Sequence, residues 1–156
     1  MRPCGYIAVP PSFELTIMEG RVMHKLEETK YGYKLILEGF LQRDEVGQLL
    51  EAMKAKIKPR EKGQTFPLLL DMRKSNAFPS DAREILKQCL LFCKQSGMER
   101  NAVILASAIA TLQARRIAKE TGIDRWARYI DASSRNDWEK IAVDWLTRGV
   151  EPDITH

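Results

Sequence analysis

The segment Phe66-Pro67-Leu68-Leu69-Leu70-Asp71 is a short, nearly continuous apolar run with turn residues on both sides. It lacks the in-and-out alternation of a strand with one face in water, so both its faces must be covered, as in a parallel sheet. Parallel strands need long crossovers, and helical patterns flank this run. Before it, Val46, Leu49, Leu50, Met53 and Ile57 form the apolar stripe of a helix that starts near Asp44 and is ended by Pro59 and Gly63. After it, Ser80 stands where a helix cap is wanted, and Ala82, Ile85, Leu86, Cys89, Leu90 and Cys93 share one stripe until Gly97.

The alternation continues to the end of the chain. Asn101 to Ala106 reads as a strand, Ala108 to Thr121 as an Ala-rich helix closed by Gly122, and Ala127 to Ile130 as a strand. A last helix is expected from about Ser134 to Arg148, with Trp138, Ile141, Ala142, Trp145 and Leu146 on one face. Upstream, Arg21 to Thr29 alternates as a half-buried strand and Tyr33 to Glu38 is more apolar, with Lys30-Tyr31-Gly32 as a tight turn between them. The order is therefore β-β-α-β-α-β-α-β-α. The fold class is α/β, a single domain with a mixed, mostly parallel sheet and flanking helices. Residues 1 to 19 are expected to be an N-terminal tail, in which Phe13 to Met18 can add an edge strand; residues 20 to 150 form the domain and 151 to 156 a C-terminal tail.

A chain of 156 residues is long enough for one proper core. No apolar run approaches the ~20 residues that span a bilayer, so no membrane insertion is expected. The start, Met1-Arg2-Pro3-Cys4-Gly5-Tyr6, lacks the apolar stretch of a signal peptide, which leads to an expectation of cytoplasmic residence. Cys4, Cys89 and Cys93 are too few and too scattered for a disulfide framework, and with only His24 and His156 to join them a metal centre is not expected. Cys89 and Cys93, at i and i+4 on an apolar stripe, read as core residues, as do Trp138 and Trp145, whose face can also serve a dimer. The net charge of +4 is mild. Its two basic clusters, Lys54-Lys56-Lys58-Arg60-Lys62 and Arg115-Arg116-Lys119-Arg125-Arg128, carry no known reading motif, so no nucleic acid is expected as a partner.

Open α/β sheets bind ligands outside the carboxyl ends of their strands. The candidates there are Asp71 with the following loop (Arg73, Lys74 to Ser80), Ser107, and Asp131 with Ser133 and Ser134. Strand-to-helix loops also need such residues locally, Ser80 and Ser134 as helix caps and Asp71 and Asp131 as turn formers. Arg128 enters a buried strand beside carboxylates and can be anchored there or lie plainly on the surface. The chain has no G-x-G-x-x-G, no G-x-x-x-x-G-K-[ST] and no G-x-S-x-G, so the usual nucleotide and nucleophile-elbow routes are missing. A two-component receiver would need an acidic pair after its first strand and a lysine after its last. Glu38-Gly39-Phe40 and Asp131-Ala132-Ser133 supply neither.

The element order, with Leu68-Leu69-Leu70-Asp71 nine residues before Ser80, resembles a STAS domain, the fold of bacterial anti-sigma-factor antagonists and sulfate-transporter tails. The stretch Ala127-Arg128-Tyr129-Ile130-Asp131 … Trp138-Glu139 … Ala142 … Trp145-Leu146 … Gly149 is similar to a SpoIIAA-like group of uncharacterised bacterial proteins. The resemblance covers about residues 20 to 150. It implies a non-enzymatic, regulatory protein-interaction module without a cofactor, whose partner is another protein, with a homodimer also open. The family's switch is a serine opening the helix after the third strand, within Asp-Ser-Ser-Gly-Leu. The stretch here is Pro79-Ser80-Asp81-Ala82-Arg83, so Ser80 or Asp81 takes that position, without the glycine or the flanking acid. The alternative is a small-ligand or lipid carrier of the SEC14-like type, which would need an enclosed apolar cavity where an interaction module would need an exposed apolar patch near the Ser80 helix.

Overall fold

The computed structural model describes residues 14–16, 23–40, 42–57, 63–75, 79–133 and 135–152. Six strands form one sheet in sequence order: β1 (Glu14–Thr16), β2 (Met23–Glu28), β3 (Tyr33–Gly39), β4 (Phe66–Ser75), β5 (Met98–Leu105) and β6 (Ala127–Asp131). The helices are α1 (Arg43–Lys56), α2 (Ser80–Gln95), α3 (Ala108–Thr121) and α4 (Trp138–Arg148). β2 pairs antiparallel with β1 on one side and with β3 on the other, and β3 through β6 are parallel. The mixed sheet is the one expected, with β1 added at its edge ahead of residue 20. Arg21 and Val22, read as the start of β2, lie outside the described residues.

The β2–β3 turn shows why Gly32 is there. Thr29 Oγ1 accepts hydrogen bonds from the backbone N–H groups of Tyr31 and Gly32 at 3.2 and 3.0 Å. A Cβ on residue 32 would lie 2.3 Å from the Pro67 carbonyl oxygen, so only glycine lets the hairpin pass β4.

Each parallel strand is laid down beside the last in one direction, so right-handed crossovers place their helices on one face. α1 packs on α2 and α2 on α3, and all three cover that face. Beneath them lies the larger core, with Leu35, Leu37, Met53, Phe66, Leu68, Leu86, Cys89, Cys93, Val103 and Ile117. Among the described helices, α4 covers the opposite face of β4, β5 and β6. There Leu69, Ala102, Ile104 and Ile130 pack on Ala142, Trp145 and Leu146. The alternation of Leu68 and Leu70 to one core with Leu69 to the other accounts for the continuous apolar run that marks β4.

Three boundaries differ from the sequence reading by three residues or more. β4 continues to Ser75, four residues past Asp71, because Met72 is buried and Arg73 is held against the sheet. β5 starts at Met98, since the residue pairs with Phe66 across the strands. α4 starts at Trp138 after Asp137, so the helix does not reach back to Ser134, which lies outside the described residues.

Candidate functional site

The carboxyl ends of β3, β4 and β5 lie side by side, so three loops follow one another along this rim: Phe40 after β3, the segment leading to Ser80 after β4, and Ser107 after β5. α1, α2 and α3 all begin here. Their unpaired N–H groups and dipoles give the rim a partial positive character. Phe40 is 45 % exposed, and Ile109 and Leu112 in the first turns of α3 are 65 % and 63 % exposed. The Ser80 helix therefore begins between two elements that carry exposed apolar side chains, the loop after β3 and the start of α3.

Asp71 is not a turn former. It lies inside β4, buried on the α4 face, and accepts the Arg73 guanidinium through two bonds of 2.9 Å, to Oδ1 and Oδ2. The Arg73 backbone N–H donates to Oδ1 as well, at 3.1 Å. Residues two apart on a strand share a face, which brings the pair together. The guanidinium also lies 4.2 Å over the Trp138 ring. Its pKa is raised, first by the hydrogen bonds to Asp71. A carboxylate so occupied is a structural anchor, with little left for a ligand.

Ser80 is exposed and is the first residue of α2, one position past the cap. Pro79 takes the cap position, its backbone extended at φ −70° and ψ 166°, and its carbonyl accepts from Arg83 N–H at 3.0 Å. Proline's fixed φ suits that place, and Ser80, one residue further on, is not the cap. The capping role expected of Ser80 is corrected accordingly. Asp81 Oδ1 accepts the Ala82 N–H at 2.8 Å, and the Asp81 side chain is exposed, as is Lys74. Asn76, Ala77 and Phe78, in the middle of this candidate loop, lie outside the described residues.

Ser107 is a true cap: its Oγ accepts the Ala110 N–H at 3.0 Å. Asp131 is a turn former, its Oδ1 accepting from the Ser133 N–H at 2.9 Å and the Ser133 hydroxyl at 2.5 Å. Among the described residues, none of these bonds crosses from one strand end to the next. The fold lines the candidates up along one rim without joining them into a catalytic constellation.

Cys89 and Cys93 are buried in the larger core, and burial pushes the Cys89 thiol up to about 12 and Cys93 higher still. Among the described residues no group of three His, Cys, Asp or Glu is placed to hold a metal, and no helix is long and apolar enough to cross a membrane. Arg128 is anchored, though not by Asp131: its Nε and a terminal nitrogen donate to Glu151 at 2.8 and 2.9 Å, and it stacks 4.1 Å over Trp145. That removes it from the basic cluster on α3.

Sequence reasoning weighed His24 as a metal ligand and gave it no binding role. It is 2 % exposed on the α1 side of β2, and neither ring nitrogen has a hydrogen-bond partner among the described residues. It lines a cavity of about 260 Å3 with Leu26, Leu49, Ala52, Met53, Ala55 and Lys56. The only signal in the sequence was its in-phase spacing with Leu26.

Neither a family model nor a curated protein sequence matches this chain. Solved structures do match in shape. An anti-sigma factor antagonist from Mycobacterium paratuberculosis superposes with a TM-score of 0.51 at 16% identity, over 81% of this chain and 98% of its own. An uncharacterised DUF3478-family protein with a SpoIIAA-like fold, from Shewanella loihica, gives 0.51 at 18% identity, over 85% and 98%.

Proposed function

We propose that this chain, which has the SpoIIAA-like fold of the STAS type, is a non-enzymatic regulatory module that binds another protein through the rim around the start of α2. The observation that carries this reading is the exposure of Phe40 after β3 and of Ile109 and Leu112 in the first turns of α3, on the elements that neighbour the start of α2 along the rim. Exposed large apolar side chains along one rim are what a protein partner covers. The anti-sigma factor antagonist of the same fold is a regulatory protein by its description, which supports the same class of role.

Ser80 sits at the centre of that rim and is open to solvent. A phosphate there would lie at the positive end of a 16-residue helix, with Lys74 and Arg83 close in sequence and Asp81 opposing it. Phosphorylation would thus alter the charge at the centre of the binding surface while leaving the core untouched.

The test is co-purification from the source cells with wild-type protein and with Ile109→Asp/Leu112→Asp and Ser80→Asp variants, together with phosphopeptide mapping of the native chain. The substituted residues are exposed, so folding should survive. A protein retained by the wild type and lost from Ile109→Asp/Leu112→Asp supports the rim. Identical capture by all three, with Ser80 unmodified, refutes both the rim and the switch.

A further inference from the structure

We propose that the cavity beneath α1 is a binding site for a small, uncharged, mainly apolar molecule carrying one hydroxyl group, which His24 holds. The site is separate from the rim and does not depend on it.

Among the described residues that line it, Leu26, Leu49, Ala52, Met53 and Ala55 offer only hydrocarbon and one thioether. Of the two polar ones, Lys56 is already engaged. The remaining polar group is the His24 imidazole, 98 % buried by its 2 % exposure, with both nitrogens lacking a partner among the described residues. Buried polar atoms are nearly always satisfied, so an imidazole with neither nitrogen bonded points to something that enters from outside.

Water is a poor occupant. A buried water needs two to four polar partners, and these walls supply one ring. A charged molecule is also disfavoured, since the lining would strip its hydration without an available counter-charge. Burial lowers the pKa of His24 and keeps the ring neutral, with one nitrogen a donor and the other an acceptor. A hydroxyl can answer either one, accepting from the first or donating to the second. At about 260 Å3 the cavity lies just below the ~300–1,000 Å3 of drug-sized sites, which suits one ring with a short tail. Exposed Ala55 marks its opening.

The experiment uses the full chain, 13C-labelled, titrated in parallel with 4-ethylphenol and with ethylbenzene, which has the same shape without the hydroxyl. Only two histidines occur in the sequence, so the His24 ring resonance is assigned by its loss in His24→Leu. The expected result is a saturable shift of the His24 ring and the Leu26, Leu49 and Met53 methyls. The phenol should bind about five- to tenfold more tightly, the worth of one neutral hydrogen bond. The two probes should bind alike to His24→Leu. Ala52→Phe, which places a ring on the cavity wall from half-buried Ala52, should abolish both. No saturable shift in the wild type, or equal affinities for the two probes there, overturns the proposal whether or not the variants fold. Binding that persists in a folded Ala52→Phe protein overturns it as well.

Discussion

Arg73 clamps the carboxylate of Asp71 from two residues further along the same strand, each of its two guanidinium bonds 2.9 Å long. Asp71 is buried beneath α4, whereas the Arg73 side chain is 39 % exposed, so the pair sits at the boundary between core and water. Trp138 closes it from above, which ties the first turn of α4 to the end of β4. The anchor thus fixes the strand end from which the loop to Ser80 departs.

Removing the guanidinium leaves a buried carboxylate with its charge uncompensated, apart from one backbone N–H. Arg73→Ala should therefore lower stability by about 1–2 kcal/mol, reduced from the value for a fully buried pair because water reaches the site. Arg73→Lys should recover little, as an ammonium can neither form the paired bonds nor stack flat on Trp138. Asp71→Leu in the Arg73→Ala background should restore part of the loss. Urea denaturation of the four proteins checks this, and full recovery in Arg73→Lys, or no recovery from Asp71→Leu, would place the effect elsewhere.

His24 gives a pH dependence of definite sign. Burial lowers its folded-state pKa below the ordinary 6.5, so the unfolded chain takes up the proton first. Stability should then fall as pH drops below 6.5 and level off only below the folded value, at a slope of no more than about 1.4 kcal/mol per pH unit from this group. His24→Leu should flatten that part of the profile. Denaturant midpoints for both proteins across pH 7.5 to 5 decide the matter, and parallel curves would mean that the ring is satisfied when folded.

The order of strands and helices was legible because a parallel strand covered on both faces leaves a mark that no half-solvated strand leaves, as at Leu68-Leu69-Leu70. Helix stripes were equally clear: Ala82, Leu86, Cys89, Leu90 and Cys93 are all buried. The site was less legible, for physical reasons that differ by residue. Asp71 looked like a loop residue because the apolar run stops there, while the strand itself goes on through a charged pair that satisfies itself. Ser80 has the composition of a cap, but the neighbouring proline, with φ already fixed, occupies that position. The cavity at His24 arises between a hairpin strand and a helix some thirty residues further on, and no local pattern encodes such a meeting.

Cys89 and Cys93 should be inert in the folded protein. Attack on a thiol reagent needs the thiolate, and a pKa pushed up to about 12 leaves Cys89 with roughly one part in 10⁴ ionised at pH 8. Both should label only as the core opens, so protection should track the unfolding transition in urea. Cys89→Ala and Cys93→Ala should each cost about 1–2 kcal/mol through lost packing. Fast labelling of either residue in native buffer would show that α2 departs from the sheet without global unfolding.

Two serines at neighbouring helix starts should respond differently to the same substitution. Ser107 precedes α3 with an extended backbone, and its hydroxyl oxygen satisfies the Ala110 N–H, a donor that the helix leaves unpaired. Ser107→Ala should cost about 1 kcal/mol. Ser80 lies within the first turn of α2, exposed and one residue past the cap, so Ser80→Ala should change stability by less than about 0.5 kcal/mol. This difference frees Ser80 for a role in binding: it can be substituted or phosphorylated while the helix beneath it stays folded. Thermal and urea unfolding of the two alanine variants measure the contrast directly. An equal loss in both would mean that Ser80 caps α2 after all, and any change in partner capture by Ser80→Asp would then have to be separated from a frayed helix start.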